Sequence, residues 1–66
     1  MNVKKLKGKL VENDMNVEML AAKVGMDRSS MYRKLANIEK ITVGEAARIK
    51  AAVPLTDEEA YEIFLA

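Results

Sequence analysis

The stretch that most constrains this chain is residues 16–35, NVEMLAAKVGMDRSSMYRKL. Val17, Leu20, Ala21 and Val24 recur at the spacing of one helix face, with Asn16 placed to cap the start and Glu18 in the first turn. Gly25 follows as the residue type that takes left-handed backbone at little cost and so ends a helix. Asp27 then caps a second helix of about residues 28–36, in which only Met31 and Leu35 are placed for a core. The rest of its circumference is Arg28, Ser29, Ser30, Tyr32, Arg33 and Lys34. A helix this polar, held by so few apolar residues, presents most of its surface outward.

The flanks repeat the helical period. No β-branched run alternates with period two, so the chain reads as all-α, one domain over 1–66, with helices at about 3–13, 17–24, 28–36, 43–53 and 57–65. Val3, Leu6 and Leu10, with Val11 beside them, form the buried stripe of the first helix, which Asn13-Asp14 ends. Residues 37–40 form a connecting loop. Thr42 and Glu45, and again Thr56 and Glu59, have the spacing of a capping box. The fourth helix offers Val43, Ala46, Ala47, Ile49 and Val53 for burial and stops at Pro54. The fifth has Ala60, Ile63 and Phe64 on one side, with Tyr61 and Leu65 off that stripe. Pro54, Leu55, Tyr61, Phe64 and Leu65 are therefore expected to leave apolar surface for a partner.

Composition narrows the chemistry. With no cysteine and no histidine, the usual general base, thiol nucleophile and zinc ligands are missing, so neither catalysis nor a metal or other cofactor is expected. Asp57, Glu58 and Glu59 are consecutive and point in different directions, as suits a helix first turn rather than a site. No segment is continuously apolar enough for a signal peptide or a membrane span, which makes the cytoplasm the expected location. The net charge of +1 conceals an asymmetry. Residues 1–40 hold nine Lys and Arg against five acids, whereas residues 41–66 hold two against five. One end suits an anionic partner and the other does not.

In Leu20-Ala21, Lys23-Val24-Gly25 and the run from Arg28 to Arg33, the chain resembles the lambda-repressor-like helix-turn-helix domains, a family that includes phage repressors and Cro proteins. The resemblance extends over all five helices. It implies that the third helix enters the major groove of operator DNA, with base-reading residues at Arg28, Ser29 and Arg33. It implies phosphate contacts from Ser30 and Tyr32, from the start of the second helix at Asn16 and Val17, and from Asn37 and Lys40 in the following loop. Val17 stands where family members often carry a glutamine, and the loop lacks the usual Asn-Gly turn. A transcriptional regulator acting as a homodimer on two half-sites, with no small-molecule ligand, is the expected function. Its beginning with Met favours a complete small regulator over a fragment of a longer repressor. The alternative is a helical protein-interaction module, such as an antirepressor or adaptor, supported by the modest net charge and by Val17. Separately, the plain readings of two residues are that Arg28 pairs with Asp27 or Glu18 on the surface instead of reading a base and that Tyr32 packs partly into the core.

Overall fold

Five side-chain oxygens set the five helix starts. In the computed structural model, which describes residues 1–66, Asn2, Asn16, Asp27, Thr42 and Thr56 each accept a hydrogen bond from a backbone N–H three residues on. The helices are α1 (Val3–Glu12), α2 (Val17–Val24), α3 (Arg28–Ala36), α4 (Val43–Ala52) and α5 (Asp57–Phe64). A single 3-10 turn, Ile38–Lys40, occupies the stretch expected to be a plain loop. Glu45 and Glu59 also reach back to accept from the N–H groups of Thr42 and Thr56, so both capping boxes are closed.

The helix ends are as local as the starts. At the end of α2, Gly25 (φ 71°) donates to Ala22 O and Met26 donates to Ala21 O at 2.8 Å, the paired bonds of a left-handed helix stop. The same pattern ends α1: Asp14 takes φ 55° and donates to Val11 O, and Met15 donates to Leu10 O at 2.8 Å. At the end of α4, Leu55 donates back to Lys50 O at 3.0 Å. Each stop turns an apolar residue, Met15, Met26 or Leu55, back onto the core.

Twelve residues form that core, drawn from all five helices and the α4–α5 connection. Leu6, Leu20, Met31, Ile49, Val53 and Ile63 are fully buried. α2 packs against both α3 and α4, and α1 lies against α5. The α1–α5 seam is closed by Asn2 N–H donating to Ile63 O at 2.9 Å, by the ion pair Lys5–Glu62, and by Lys9 between Glu59 at 2.8 Å and Glu12 at 3.1 Å. No helix is long and apolar enough to cross a membrane.

Several residues differ from the sequence expectation. Val11 is 74% exposed and Val43 88% exposed. At about 100° per residue, Val11 lies well past the Leu6–Leu10 stripe, and Val43 and Ala47 well away from Ile49. Ala47 is accordingly exposed too. The opposite correction applies to the expected partner surface. Leu55 and Phe64 are only 6% and 8% exposed and belong to the core, whereas Pro54, Tyr61 and Leu65 are exposed. Phe64 lies on the Ala60–Ile63 stripe, and Leu55 is drawn inward by its bond to Lys50.

Candidate nucleic-acid interface

α3 is held by two buried side chains, Met31 and Leu35, one turn apart. Counting about 100° per residue from their midline, Arg33 points directly outward, with Ser29 and Asn37 beside it and Ser30 and Tyr32 on opposite flanks. Ser29, Tyr32, Arg33 and Asn37 are all exposed and Ser30 is half-buried. Tyr32 therefore does not pack into the core, and the outward arc of α3 is uninterrupted by apolar side chains other than its ring and the methyl of Ala36.

Hydrogen bonds order this face. Asp27 accepts from Ser30 N–H at 3.2 Å, and the Ser30 hydroxyl accepts from Arg33 Nη2 at 3.1 Å. The cap thus runs into the side-chain layer: Ser30 secures the helix start with its backbone and steadies Arg33 with its hydroxyl. Toward the helix end the 3-10 turn folds back, and Ser30, Arg33, Lys34, Asn37 and Lys40 surround an open recess of about 470 Å³ with no hydrophobic lining residue. Three of those five side chains are cationic and the other two can donate hydrogen bonds, a lining suited to an oxyanion such as a phosphodiester.

Lys34 is already engaged. Its ammonium lies 2.7 and 2.5 Å from the two oxygens of Glu45. Hydrogen bonding from Lys34, and then from the Thr42 N–H, holds the Glu45 carboxyl below the usual carboxylate range. The sequence marks Glu45 as a capping-box residue, but nothing in the spacing shows that α4 begins beside the end of α3, so the pair is visible only in the fold.

The remaining expected contacts divide. Arg28, the first residue of α3, sits on the flank facing α2, and its Nη1 donates to Glu18 Oε1 at 3.0 Å. The Asn16 side chain is occupied by its cap bond from Met19 N–H at 2.9 Å. The Val17 side chain packs half-buried against the core. What the start of α2 offers an anion is therefore backbone: its first N–H groups have no partner inside the helix.

The expected partner surface also separates into two places. Tyr61, Phe64 and Leu65 border an apolar groove of about 440 Å³ together with Ile41, Val43 and Ala46. Pro54 and Leu55 border a different recess beside Ala47 and Ala51. Comparisons of the chain with protein-family models, with characterised proteins and with solved structures return no match.

Proposed function

We propose that the chain is a sequence-specific DNA-binding transcriptional regulator of the lambda-repressor and Cro type, with α3 as the recognition helix. The observation that carries this reading is the outward face of α3, where Ser29 and Arg33 are exposed beside a polar, cationic recess. Arg33 reads a base edge, since arginine is the side chain best suited to bond guanine O6 and N7 together. Ser29 reads beside it, and Arg28 reads from the flank facing α2. Ser30, Asn37 and Lys40 hold phosphate, joined by the N–H groups at Asn16–Val17 and by the Tyr32 hydroxyl. Two copies bind two half-sites about one helical turn apart and control access of RNA polymerase to the promoter. The copies meet through the C-terminal third, where Pro54, Tyr61 and Leu65 are exposed and acidic residues outnumber basic ones.

A second reading, a helical module that binds another protein, is supported by the groove between α4 and α5. Three of the seven large exposed hydrophobic residues, Val43, Tyr61 and Leu65, border it.

Salt-dependent binding to mixed-sequence DNA, followed by selection of bound sequences from a random pool, separates the two. With about six phosphate contacts per complex, the regulator loses affinity by ~10³-fold between about 50 and 200 mM salt, and selection returns a two-fold symmetric site. Absence of binding at low salt eliminates the regulator and leaves the protein-binding module.

A further inference from the structure

The pair Glu18–Arg28 joins the first turn of α2 to the first residue of α3 across the glycine turn. Both side chains are exposed, at 58% and 64%, so neither is needed to fill the core. Arg28 is also the candidate base reader furthest from the outward direction of α3. By helical phase it lies about 140° from Arg33, toward α2. Without a partner, a long side chain at that position samples many rotamers.

We infer that Glu18 is the positioning residue for Arg28, and that the ion pair is a device for specificity. This inference rests on the DNA-binding reading of α3. Only Nη1 of Arg28 is bonded to Glu18, at 3.0 Å from Oε1. A guanidinium carries five N–H donors in a rigid plane, so the edge formed by Nε and Nη2 stays free for the paired acceptors of a guanine. Holding one nitrogen of the fork narrows the orientations open to the free edge. Part of the rotamer cost of docking is then met before DNA arrives, and a base that does not match meets a side chain that cannot easily swing aside. Glu18 does this at a cost in general affinity, since its carboxylate lies near the helix start offered to phosphate. The pair is exposed, and exposed pairs shift an equilibrium by at most about fivefold. That sets the size of the effect.

Binding of wild type, E18A, E18Q and R28A to the selected site and to its single-base-pair variants tests the inference. R28A identifies the base pair that Arg28 reads. At that pair, E18A is expected to lose about two- to fivefold of discrimination while binding mixed-sequence DNA as tightly as wild type or more tightly. E18Q, whose amide oxygen still accepts from Nη1, retains at least half of the wild-type discrimination. In the free protein, ¹⁵N relaxation at Arg28 Nε shows an ordered side chain in wild type and a mobile one in E18A. Full discrimination in E18A, a loss spread evenly over all base pairs, or equal Nε mobility in both proteins overturns the positioning role while leaving DNA binding intact. Failure of the wild type to bind any DNA at low salt overturns the functional reading, and the specificity role with it.

Discussion

Lys34 near the end of α3 places its ammonium between both carboxylate oxygens of Glu45 in the first turn of α4, at 2.7 and 2.5 Å. Glu45 simultaneously closes the capping box with Thr42. One carboxylate therefore starts α4 and holds the far end of the exposed helix in place. Lys34→Met, which keeps the aliphatic stem and removes the charge, is expected to lower the melting temperature by roughly 2–5 °C. In a double-mutant cycle with Glu45→Gln, the second substitution should cost much less than it does alone. Strictly additive losses would show that the two side chains act independently.

Acid should loosen the molecule at Glu59. Its carboxyl is lowered from 4.5 to about 2 by the hydrogen bond from Lys9 and then by the Thr56 N–H. A carboxyl whose folded pKa lies below its unfolded value adds stability that is complete above the unfolded value and disappears as pH falls through the folded one. The window is therefore about pH 4.5 down to about 2. Glu45 and Asp57, also lowered by their lysine partners, act in the same direction. Thermal melts across this range should show a falling midpoint, with a shallower fall in Glu59→Gln. Equal slopes in the two proteins would remove Glu59 from the account.

At Gly25 the backbone has φ 71°, and an added Cβ would meet nothing within 4 Å. The cost of Gly25→Ala is then conformational alone, about 1–2 kcal/mol, with Gly25→Asn costing less because asparagine tolerates left-handed backbone. Urea unfolding measures both. No difference between alanine and asparagine would mean that the turn shifts out of the left-handed region.

Arg33 and Lys40 border one recess but should fail differently. Arg33→Ala is expected to relax preference at one base pair and to cost ~1–3 kcal/mol on the selected site. Lys40→Ala should weaken all sequences alike and reduce the salt slope by about one. Equal losses for Arg33→Ala on selected and random DNA would make it a phosphate contact.

The burial of Phe64 changes which substitution can test self-association. Glutamate at Phe64 would unfold the core, whereas Tyr61 and Leu65 are exposed on the same groove. Tyr61→Glu with Leu65→Glu should leave the melting temperature nearly unchanged and shift sedimentation toward monomer. An unchanged sedimentation profile would move the interface elsewhere.

The residues that were legible in the sequence are those whose structure is decided within a few positions. Asn16, Asp27, Thr42 and Thr56 cap helices through bonds three residues long, and Gly25 ends α2 through bonds to Ala21 and Ala22 that involve only its neighbours. The Met31–Leu35 edge of α3, and with it the outward direction of Arg33, follows from helical period alone. Val11 and Val43 are apolar in type but lie off the buried phase of their helices, and Leu55 is buried through the bond its N–H donates to Lys50 O across a turn, which residue type alone does not encode. Lys34–Glu45 links helices in tertiary space, which no local spacing encodes. Glu18–Arg28 stood open in the sequence as one of two surface pairings, and the packing of α2 on α3 selected it over Asp27, whose carboxylate is occupied by Ser30 N–H.

The α1–α5 seam has a consequence for the route by which the chain reaches this arrangement. α2–α3, α3 with its 3-10 turn, and α4–α5 pair elements that are consecutive in sequence, whereas Asn2 meets Ile63 across almost the entire chain. Contacts between neighbours form at little entropic cost, while the seam requires the closure of a loop nearly as long as the polypeptide. That cost grows only with the logarithm of loop length, and it falls further once the intervening helices have shortened the path between the ends. The ion pairs of Lys5 and Lys9 with Glu62 and Glu59 thus fasten the two ends of the chain across its longest loop, where a contact constrains the most polypeptide.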